Sequence, residues 1–424
     1  MLIEFSIGNF RSFKEKVTLS LEASSDDWLE DSHVATVAGL RLLKSAAIYG
    51  ANASGKSNLL AGMETFRQFV QTSSKESQMG ERIPVVPFRL HTATESAPTH
   101  FEVVFLQNGT RYRYGFEATP EMIQAEWLFS QKDSIRETRL FTRDASTIEP
   151  SAEFKEGKGL EARTRPNALF LSVVSQFNGD IAGEIMQWME RFRGISGLED
   201  ANYLDFTTQR LNDVRYGPKI RDFISRADVG IADLQRLDIP AGERIKYVPE
   251  GSPNAKREDI LDPSHRVFSI ETFHKKFDEK SHICGMVEFN LKADESTGTQ
   301  KFIAMSGPFL YTLEEGSILF VDELEARLHP LLTKSLVGLF NEAGNRKNAQ
   351  LIYATQDDGL LDSARIRRDQ VWFVEKDEFG ASRLFSLAEF KVRKEAKFGK
   401  EYLLGQFGAV PHLRDLRGAL TDAK

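Results

Sequence analysis

The sequence has little of three things that would narrow its function. One cysteine, Cys284, stands among 424 residues, so the chain can form neither an internal disulfide nor a zinc cluster. No apolar run approaches the roughly 18 residues of a membrane span, and residues 1–5 lack the basic and apolar regions of a signal peptide. Basic residues are also fewer than acidic ones: the chain has 55 Lys and Arg and 62 Asp and Glu, which gives a net charge of −7. These shortages predict a cytoplasmic globular protein without a basic coat for nucleic acid.

Residues 1–180 combine short alternating strands with one buried strand and helices. The buried run at 45–49 ends in a glycine, and apolar residues at helical spacing follow from Ser57. Two alternating runs, 101–106 and 111–116, flank Asn108-Gly109, a strong signal for a β-hairpin. This part therefore predicts a β subdomain beside a buried strand and helix.

The pattern of residues 181–424 predicts an insertion followed by further buried strands. Residues 181–270 are expected to form a helical insertion that ends in a polar, mobile loop over 240–264. Residues 271–424 carry further buried strands at 318–321 and 350–354. The whole pattern predicts an α/β fold with a mixed sheet, an antiparallel β subdomain and a helical insertion.

Residues 50–57 match G-x-x-x-x-G-K-[ST] in full. The glycines let the backbone curl so that successive N–H groups face one phosphate, and the following helix adds its positive end. Lys56 is expected to reach the β- and γ-phosphates, and the Ser57 hydroxyl to bind Mg²⁺. The alternative, a glycine-rich turn, is disfavoured by the strand before the motif and the helix after it. The residues expected to bind nucleotide here are Gly50, Asn52, Ser54, Gly55, Lys56, Ser57 and Asn58.

Two acids end the apolar strand at 318–321. Asp322 is expected to hold Mg²⁺ through water, and Glu323 to act as the base that polarises the attacking water. Apolar runs that end in acids are common, so this signal depends on the phosphate loop beside it.

A Ser-x-Gly turn, Ser296 to Gly298, precedes a predicted helix. Such a turn can present amides and a hydroxyl to an anion. Alone, the hexapeptide is more typical of a plain helix N-cap. Its place on the element before Asp322 favours the anion-binding interpretation.

The order of these motifs resembles that of ABC-type ATPase heads of the RecF and SMC group. The opening segment 8–13 is similar to their N-terminal strand and turn. More narrowly, five blocks resemble bacterial ATPases of anti-phage and abortive-infection operons, relatives of the overcoming-lysogenization-defect proteins. The PARIS ATPase subunit and the partner of RloB-type proteins are in this group. The blocks are 87–90, 168–172, 296–300, 322–330 and 402–411.

The resemblance implies a dimer in which two heads sandwich ATP. Lys56, Ser57, Asp322 and Glu323 would act within one subunit, while Ser296 and Gly298 would meet the γ-phosphate of the other. Asn52 and Arg11 are expected to approach the phosphates. The family usually has His where this chain has Gln356, and Gln cannot become cationic. We therefore expect slow hydrolysis and a long-lived ATP-bound state.

The resemblance also implies partners. We expect a homodimer or higher oligomer that senses a phage protein and acts as a scaffold. Related proteins carry a Toprim nuclease after the head, which does not fit into the residues after Gln356, so a separate Toprim- or RloB-like effector is expected. The runner-up is a RecF-like ATPase that clamps duplex DNA. A kinase or GTPase is weaker, because no Asn-Lys-x-Asp motif is present.

One basic stretch bears on the choice between protein and DNA partners. Lys391, Arg393, Lys394, Lys397 and Lys400 could contact a phosphate backbone. Such a run is more often a solvated face, and that interpretation is favoured by the sequence.

Overall fold

The structure is a computed structural model that describes residues 1–76, 78, 80–132, 136–198, 201–239, 267–393 and 396–411. The loop predicted over 240–264 lies outside the described residues. The chain forms two compact units. The first contains Met1–Ser196, Glu315–Leu324 and Lys334–Lys424, and the second contains Gly197–Glu314 and Glu325–Thr333. The boundaries predicted at 180 and 270 stay predictions.

An antiparallel sheet of seven strands forms one layer of the first unit. Its order is β10-β9-β8-β7-β6-β1-β2. The strands are β1 (Leu2–Gly8), β2 (Val17–Ser20), β6 (Thr99–Gln107), β7 (Thr110–Ala118), β8 (Ile123–Gln131), β9 (Thr138–Asp144) and β10 (Ile148–Pro150). The predicted hairpin is confirmed as β6–β7, and both turn residues have positive φ, 47° at Asn108 and 77° at Gly109, as a type I′ turn requires.

A second sheet of six strands carries the buried runs found in the sequence. Its order is β11-β15-β16-β5-β17-β18, with the first five strands parallel and β18 antiparallel. The strands are β5 (Ser45–Tyr49), β11 (Phe192–Ser196), β15 (Ile318–Asp322), β16 (Gln350–Ala354), β17 (Val371–Lys376) and β18 (Ser382–Ser386). A small hairpin joins β3 (Val34–Val37) to β4 (Leu40–Leu43).

Helix α2 (Lys56–Thr72) lies between the two sheets and fills the core of the first unit. It contacts β1 on one side and β11, β15 and β16 on the other. Its Phe66 is fully buried and stacks on Phe116, with ring centroids 5.7 Å apart. The other helices with residues in this unit are α1 (Glu30–His33), α3 (Phe170–Gln176), α4 (Asp180–Glu190), α9 (Pro330–Phe340) and α10 (Phe398–Leu403).

The insertion predicted over 181–270 is helical only in part. Helix α4 ends at Glu190, and Phe192 begins strand β11 instead of continuing the helix. Phe192 matched the helical spacing because it packs into the same core as Trp188, on which its ring stacks at 5.4 Å. Strand β12 (Ile231–Ile239) is the second departure.

The described residues of the second unit form an antiparallel sheet and several helices. The strands follow the order β12-β13-β14, with β13 at Val267–Phe277 and β14 at Ile283–Asn290. The helices are α5 (Ala201–Arg210), α6 (Gly217–Ser225), α7 (Leu291–Asp294) and α8 (Thr297–Glu315). The last residue of α8, Glu315, is already part of the first unit.

Helix α8 accommodates a proline in its interior. Pro308 has no N–H, so it cannot bond the carbonyl of Ala304 four residues earlier. The Thr207 hydroxyl of α5 donates to that carbonyl at 2.6 Å. Thr207 also accepts from the Gly307 amide at 3.2 Å. A side chain from a neighbouring helix thus satisfies the carbonyl that the proline leaves free.

Within the described residues, none of the helices has the length and apolar character needed to cross a membrane.

Candidate functional site

Three sequence motifs meet at the carboxyl edge of the parallel sheet. Strand β16 lies between β5 and β15, and its Tyr353 is opposite Ala47 on one side and Val321 on the other. Because the strands are parallel and neighbours are about 4.8 Å apart, the ends of β5 and β15 lie roughly 10 Å apart with the end of β16 between them. The phosphate loop, the two acids and Gln356 therefore share one edge.

The phosphate loop curls around the ammonium group of Lys56. Lys56 is the first residue of α2, and its Nζ donates to the carbonyl oxygens of Gly50 at 2.7 Å and Ala51 at 3.1 Å. Gly55 has φ +120°, and a β-carbon there would lie 2.4 Å from Ser382 Oγ. Only glycine fits this backbone and this space. The glycine of the motif thus lets the loop pass directly over β18.

The polar side chains of the loop differ in exposure. Asn52 and Ser57 are exposed, as a role in binding a ligand requires. Ser54 is buried, and among the described residues no group hydrogen-bonds its Oγ. A buried hydroxyl without a partner costs free energy, so Ser54 fits a loop that is completed by a polar ligand.

Two serines that sequence reasoning missed support the loop from below. The Ser382 hydroxyl lies 2.5 Å from the Ser54 carbonyl oxygen, to which it donates, and 2.8 Å from Ser12 Oγ. Ser12 Oγ also accepts from Asn58 Nδ2 at 2.8 Å. Asn58, predicted to bind nucleotide, is therefore bonded within the protein. The sequence gives no signal for Ser382, which lies more than 300 residues after the loop.

Arg11, predicted to approach the phosphates, lies in the turn that supplies Ser12. Its φ is 50°, in the left-handed region, and its amide donates to the Val86 carbonyl at 2.7 Å. The residue is exposed. Its backbone is thus fixed next to Ser12, and its guanidinium carbon lies 5.4 Å from the centroid of the Phe10 ring.

Asp322 and Glu323 stand at the end of β15. Asp322 Oδ1 is buried, and within the described part of the chain it has no hydrogen-bond partner. A carboxylate oxygen in this state suits a hard cation or its bound water, and the exposed Ser57 hydroxyl adds a second oxygen from the loop. The residues present therefore fit Mg²⁺. Glu323 has φ 50°, in the left-handed region, a conformation that costs a non-glycine residue roughly 1 kcal/mol or more.

Gln356 and Asp357 follow β16 between the loop and the acids. Gln356 is exposed. Asp357, which sequence reasoning did not assign, accepts from the Gly359 amide through Oδ1 at 2.8 Å. Its Oδ2 is buried, and no described residue hydrogen-bonds it. Its carbonyl accepts from the Tyr49 hydroxyl at 3.1 Å, which ties the turn to the strand of the phosphate loop.

The Ser-x-Gly turn belongs to the second unit. The Ser296 hydroxyl accepts from the Thr299 amide at 3.1 Å, so Ser296 caps the start of α8. A β-carbon on Gly298 would lie 2.7 Å from the Arg327 carbonyl oxygen. The Nζ of Lys301, which is fully buried, donates to the Ala326 carbonyl. The turn is thus packed against the segment that follows Asp322 and Glu323 in the chain.

Comparisons with solved structures found similar folds at low identity. The SMC head domain from Thermotoga maritima is 13% identical, with a TM-score of 0.40, over 91% of this chain and 98% of that chain. An SMC head bound to the C-terminal domain of ScpA, derived from Pyrococcus furiosus, is 14% identical, with a TM-score of 0.42, over 91% and 96%. An SMC head bound to the winged-helix domain of ScpA is 12% identical, with a TM-score of 0.46, over 91% and 97%. No curated protein matches the chain.

A family model matches the chain over residues 45–362, which include the phosphate loop, the Ser-x-Gly turn, both acids and Gln356. Its description is "AAA domain, putative AbiEii toxin, Type IV TA system". The predicted α/β P-loop ATPase fold is confirmed. With three quarters of its residues matched, the chain belongs to this AAA-domain family.

Proposed function

We propose that the protein is a slow, Mg²⁺-dependent ATPase that works as a pair of heads. One observation carries the proposal, namely that the phosphate loop, Asp322, Glu323 and Gln356 end neighbouring strands of one parallel sheet. Asp322 Oδ1 is buried and has no hydrogen-bond partner among the described residues, which supports a site completed by a metal ion and its ligand.

Each residue has a separate task in this proposal. Lys56 exchanges its bonds to the loop carbonyls for the β- and γ-phosphates. Asp322 and Ser57 hold Mg²⁺, which when bound neutralises charge on the phosphates. Glu323 orients the attacking water and accepts its proton. Gln356 hydrogen-bonds the γ-phosphate but brings no positive charge, so hydrolysis is slow.

The second subunit supplies the remaining contacts. We assign Ser296 and Gly298 to the γ-phosphate of the partner head, in agreement with their resemblance to the ABC signature. The close approach of Gly298 to the Arg327 carbonyl supports this role, because a change in the segment after the acids reaches the turn directly. ATP then holds two copies together, and hydrolysis releases them.

In the cell, we infer that this ATP-dependent pair is the sensor and scaffold of an anti-phage system of the PARIS or RloB type. The family's description names a type IV toxin–antitoxin system, and this association supports a role in a pair of genes of that kind. The trigger is a phage protein, and the toxic activity belongs to a separate Toprim- or RloB-like effector.

The proposal is tested by light scattering of the wild type, Glu323→Gln and Lys56→Ala, with and without ATP and Mg²⁺. Glu323→Gln should gain mass on addition of ATP and keep it, the wild type should gain mass and lose it slowly, and Lys56→Ala should not respond. The exposed Glu378→Gln is the matched control and should behave as the wild type. Identical mass for Glu323→Gln under every condition would contradict ATP-driven pairing.

A RecF-like clamp on duplex DNA is the second candidate, and it is favoured by one observation. Lys391, Arg393, Lys397 and Lys400 are all exposed near the end of the described chain. A clamp built on them would bind duplex DNA with ATP and lose affinity steeply between about 50 and 200 mM salt. Binding that does not depend on salt, or no binding, favours the scaffold.

A further inference from the structure

Helix α10 rests on the strand that carries the phosphate loop. Tyr402 of α10 is 6% exposed, and its ring stacks on Phe373 at 5.5 Å and meets Tyr49 edge-on at 5.7 Å. Tyr49 is the last residue of β5. Burial raises the pKa of Tyr402, and the backbone of Gly50 beside its hydroxyl opposes this rise. The inner face of α10 therefore touches the first residues of the phosphate loop.

The same helix also touches the turn that follows Gln356. The Gly399 amide donates to the Leu361 carbonyl at 3.1 Å. A β-carbon on Gly399 would lie 2.8 Å from the Asp358 carbonyl oxygen, so the helix backbone packs directly on this turn. Helix α10 thus spans two of the three parts of the site, and a shift of the helix reaches both.

The outer side of this region combines exposed apolar and basic side chains. We call it the α10 surface, and its members are Lys391, Arg393, Lys397, Lys400, Leu403 and Leu404. Leu403 and Leu404 are 64% and 66% exposed. A cavity of about 560 Å³ in the same region is lined by apolar side chains, among them Phe390 and Phe407, by the basic Lys391 and Arg393, and by one carboxylate, Glu401. The basic members of the α10 surface are exposed, and none has a carboxylate within 4 Å in the described part of the chain: Lys391, Arg393, Lys397 and Lys400.

The chemistry of the α10 surface identifies the occupant. Two adjacent exposed leucines beside an apolar-lined cavity favour a partner that covers them, and four cations against the single carboxylate Glu401, among the described residues of this surface, favour an acidic partner. Duplex DNA would neutralise the cations but leave both leucines in water. The sequence favoured a solvated face for this basic stretch, but the adjoining leucines and cavity were not visible in it.

We propose that the α10 surface docks an acidic, leucine-rich segment of a second protein, and that docking changes nucleotide affinity through Tyr402 and Gly399. The docking half is independent of the proposed ATPase function, and the coupling half rests on it.

Docking is tested by fluorescence anisotropy with a labelled synthetic peptide of alternating Leu-Leu and Glu-Glu pairs. Two comparison peptides have Lys in place of Glu or Ser in place of Leu, and a short duplex DNA is the fourth probe. The acidic leucine peptide should bind, and the double variants Leu403→Ser/Leu404→Ser and Lys397→Glu/Lys400→Glu should each weaken it by about tenfold or more. Leu90→Ser and Lys347→Glu, at other exposed positions, are the matched controls.

Two results would overturn docking. One is peptide binding that neither double variant weakens. The other is binding of the DNA alone, with a steep salt dependence that Lys397→Glu/Lys400→Glu removes.

Coupling is tested with a fluorescent ATP analogue. The peptide should change the affinity for the analogue several-fold, and the analogue must change the affinity for the peptide by the same factor. Tyr402→Phe keeps the ring but removes the hydroxyl, which lies beside Gly50 and donates to the Ala409 carbonyl at 3.2 Å, and it should reduce this factor. Lys56→Ala should bind the peptide but not the analogue, which separates failure of the ATP site from failure of docking. A factor of one in the wild type would disprove coupling.

Discussion

The Ser382 hydroxyl donates a hydrogen bond to the carbonyl oxygen of Ser54 at 2.5 Å. This bond joins β18, near the end of the described chain, to the centre of the phosphate loop. Ser382 is 3% exposed, so no water replaces the bond when the hydroxyl is removed.

We predict that Ser382→Ala weakens nucleotide binding by about three- to tenfold, because the loss of one buried hydrogen bond is worth about 1 kcal/mol. The affinity is measured with a fluorescent ATP analogue. Ser386→Ala, on the same strand and also buried, removes an acceptor of the Ala388 amide and should leave nucleotide affinity unchanged. Equal effects of the two variants would mean that Ser382 stabilises the fold without positioning the loop.

Gln356 is predicted to limit the rate of hydrolysis. Replacement by histidine adds a side chain that can carry positive charge near the γ-phosphate, so Gln356→His should raise steady-state ATP turnover by at least about tenfold. The rate is measured by phosphate release at saturating ATP. A high turnover of the wild type, equal to that of Gln356→His, would refute the prediction.

Removal of the Thr207 hydroxyl should destabilise helix α8 at the Ala304 carbonyl. Thr207→Val keeps the shape of the side chain but leaves the carbonyl buried without a donor, at a cost of about 1–3 kcal/mol. Hydrogen exchange of α8 and thermal unfolding measure the loss. Thr207→Ser keeps the hydroxyl and should restore protection.

Thr208 gives a second control for that prediction. Its hydroxyl donates to the Leu204 carbonyl within α5 at 2.8 Å, and the helix backbone also bonds such a carbonyl. Thr208→Val should therefore cost less than Thr207→Val. The reverse order would show that Pro308 does not depend on Thr207.

Gly298→Ala is predicted to separate binding from hydrolysis. The new β-carbon would meet the Arg327 carbonyl at 2.7 Å, so the turn and the segment after the acids must move apart. ATP binding to one head should be unchanged, while hydrolysis, which in the proposed pair of heads depends on the turn of the partner, should fall by about tenfold or more. Gly285→Ala has open space around its β-carbon and serves as the control. Unchanged hydrolysis in Gly298→Ala would contradict the role in trans.

His33 should make stability depend on pH. Burial lowers the pKa of His33, the hydrogen bond to the Arg365 carbonyl opposes this, and Arg367 and Lys44 lower it further, against Asp369. The folded pKa therefore lies below the unfolded value of about 6.5. Between the two values the unfolded chain binds more protons, so the free energy of unfolding rises with pH and falls on acidification.

The measurement is the melting temperature between about pH 7 and 5.5. The wild type should lose more stability than His33→Gln over this range. His282→Gln, at an exposed histidine, should follow the wild type. Parallel curves for the wild type and His33→Gln would exclude His33 as the source.

The sequence was sufficient to predict the elements that local patterns define. The phosphate loop between β5 and α2, the strand that ends at Asp322 and the β6–β7 hairpin all follow from spacing and turn chemistry within about ten residues. The placement of the phosphate loop and Asp322 on one sheet edge follows from the parallel strands β5 and β15.

The parts that sequence reasoning missed depend on contacts between distant residues. Ser382 and Asp357 have no local signature, since their roles come from Ser54 and from the turn beneath Gln356. Phe192 matched a helical spacing although it begins a strand, because both arrangements bury the same ring against Trp188. The spacing of apolar residues shows which side chains are buried, but it does not always show whether a helix or a strand carries them.

The order of strands in the second sheet has a consequence for synthesis of the protein. Both neighbours of β5, β16 and β17, begin about 300 residues after it. At 5–20 residues per second, roughly 15–60 s pass on the ribosome before either neighbour exists. During that time the apolar strand β5, which leads into the phosphate loop, has neither of its two neighbouring strands to pair with. The strand that leads into the phosphate loop therefore gains its sheet neighbours only after residues up to about 376 have been made, and a chain truncated before them would present an unpaired apolar strand to chaperones and proteases.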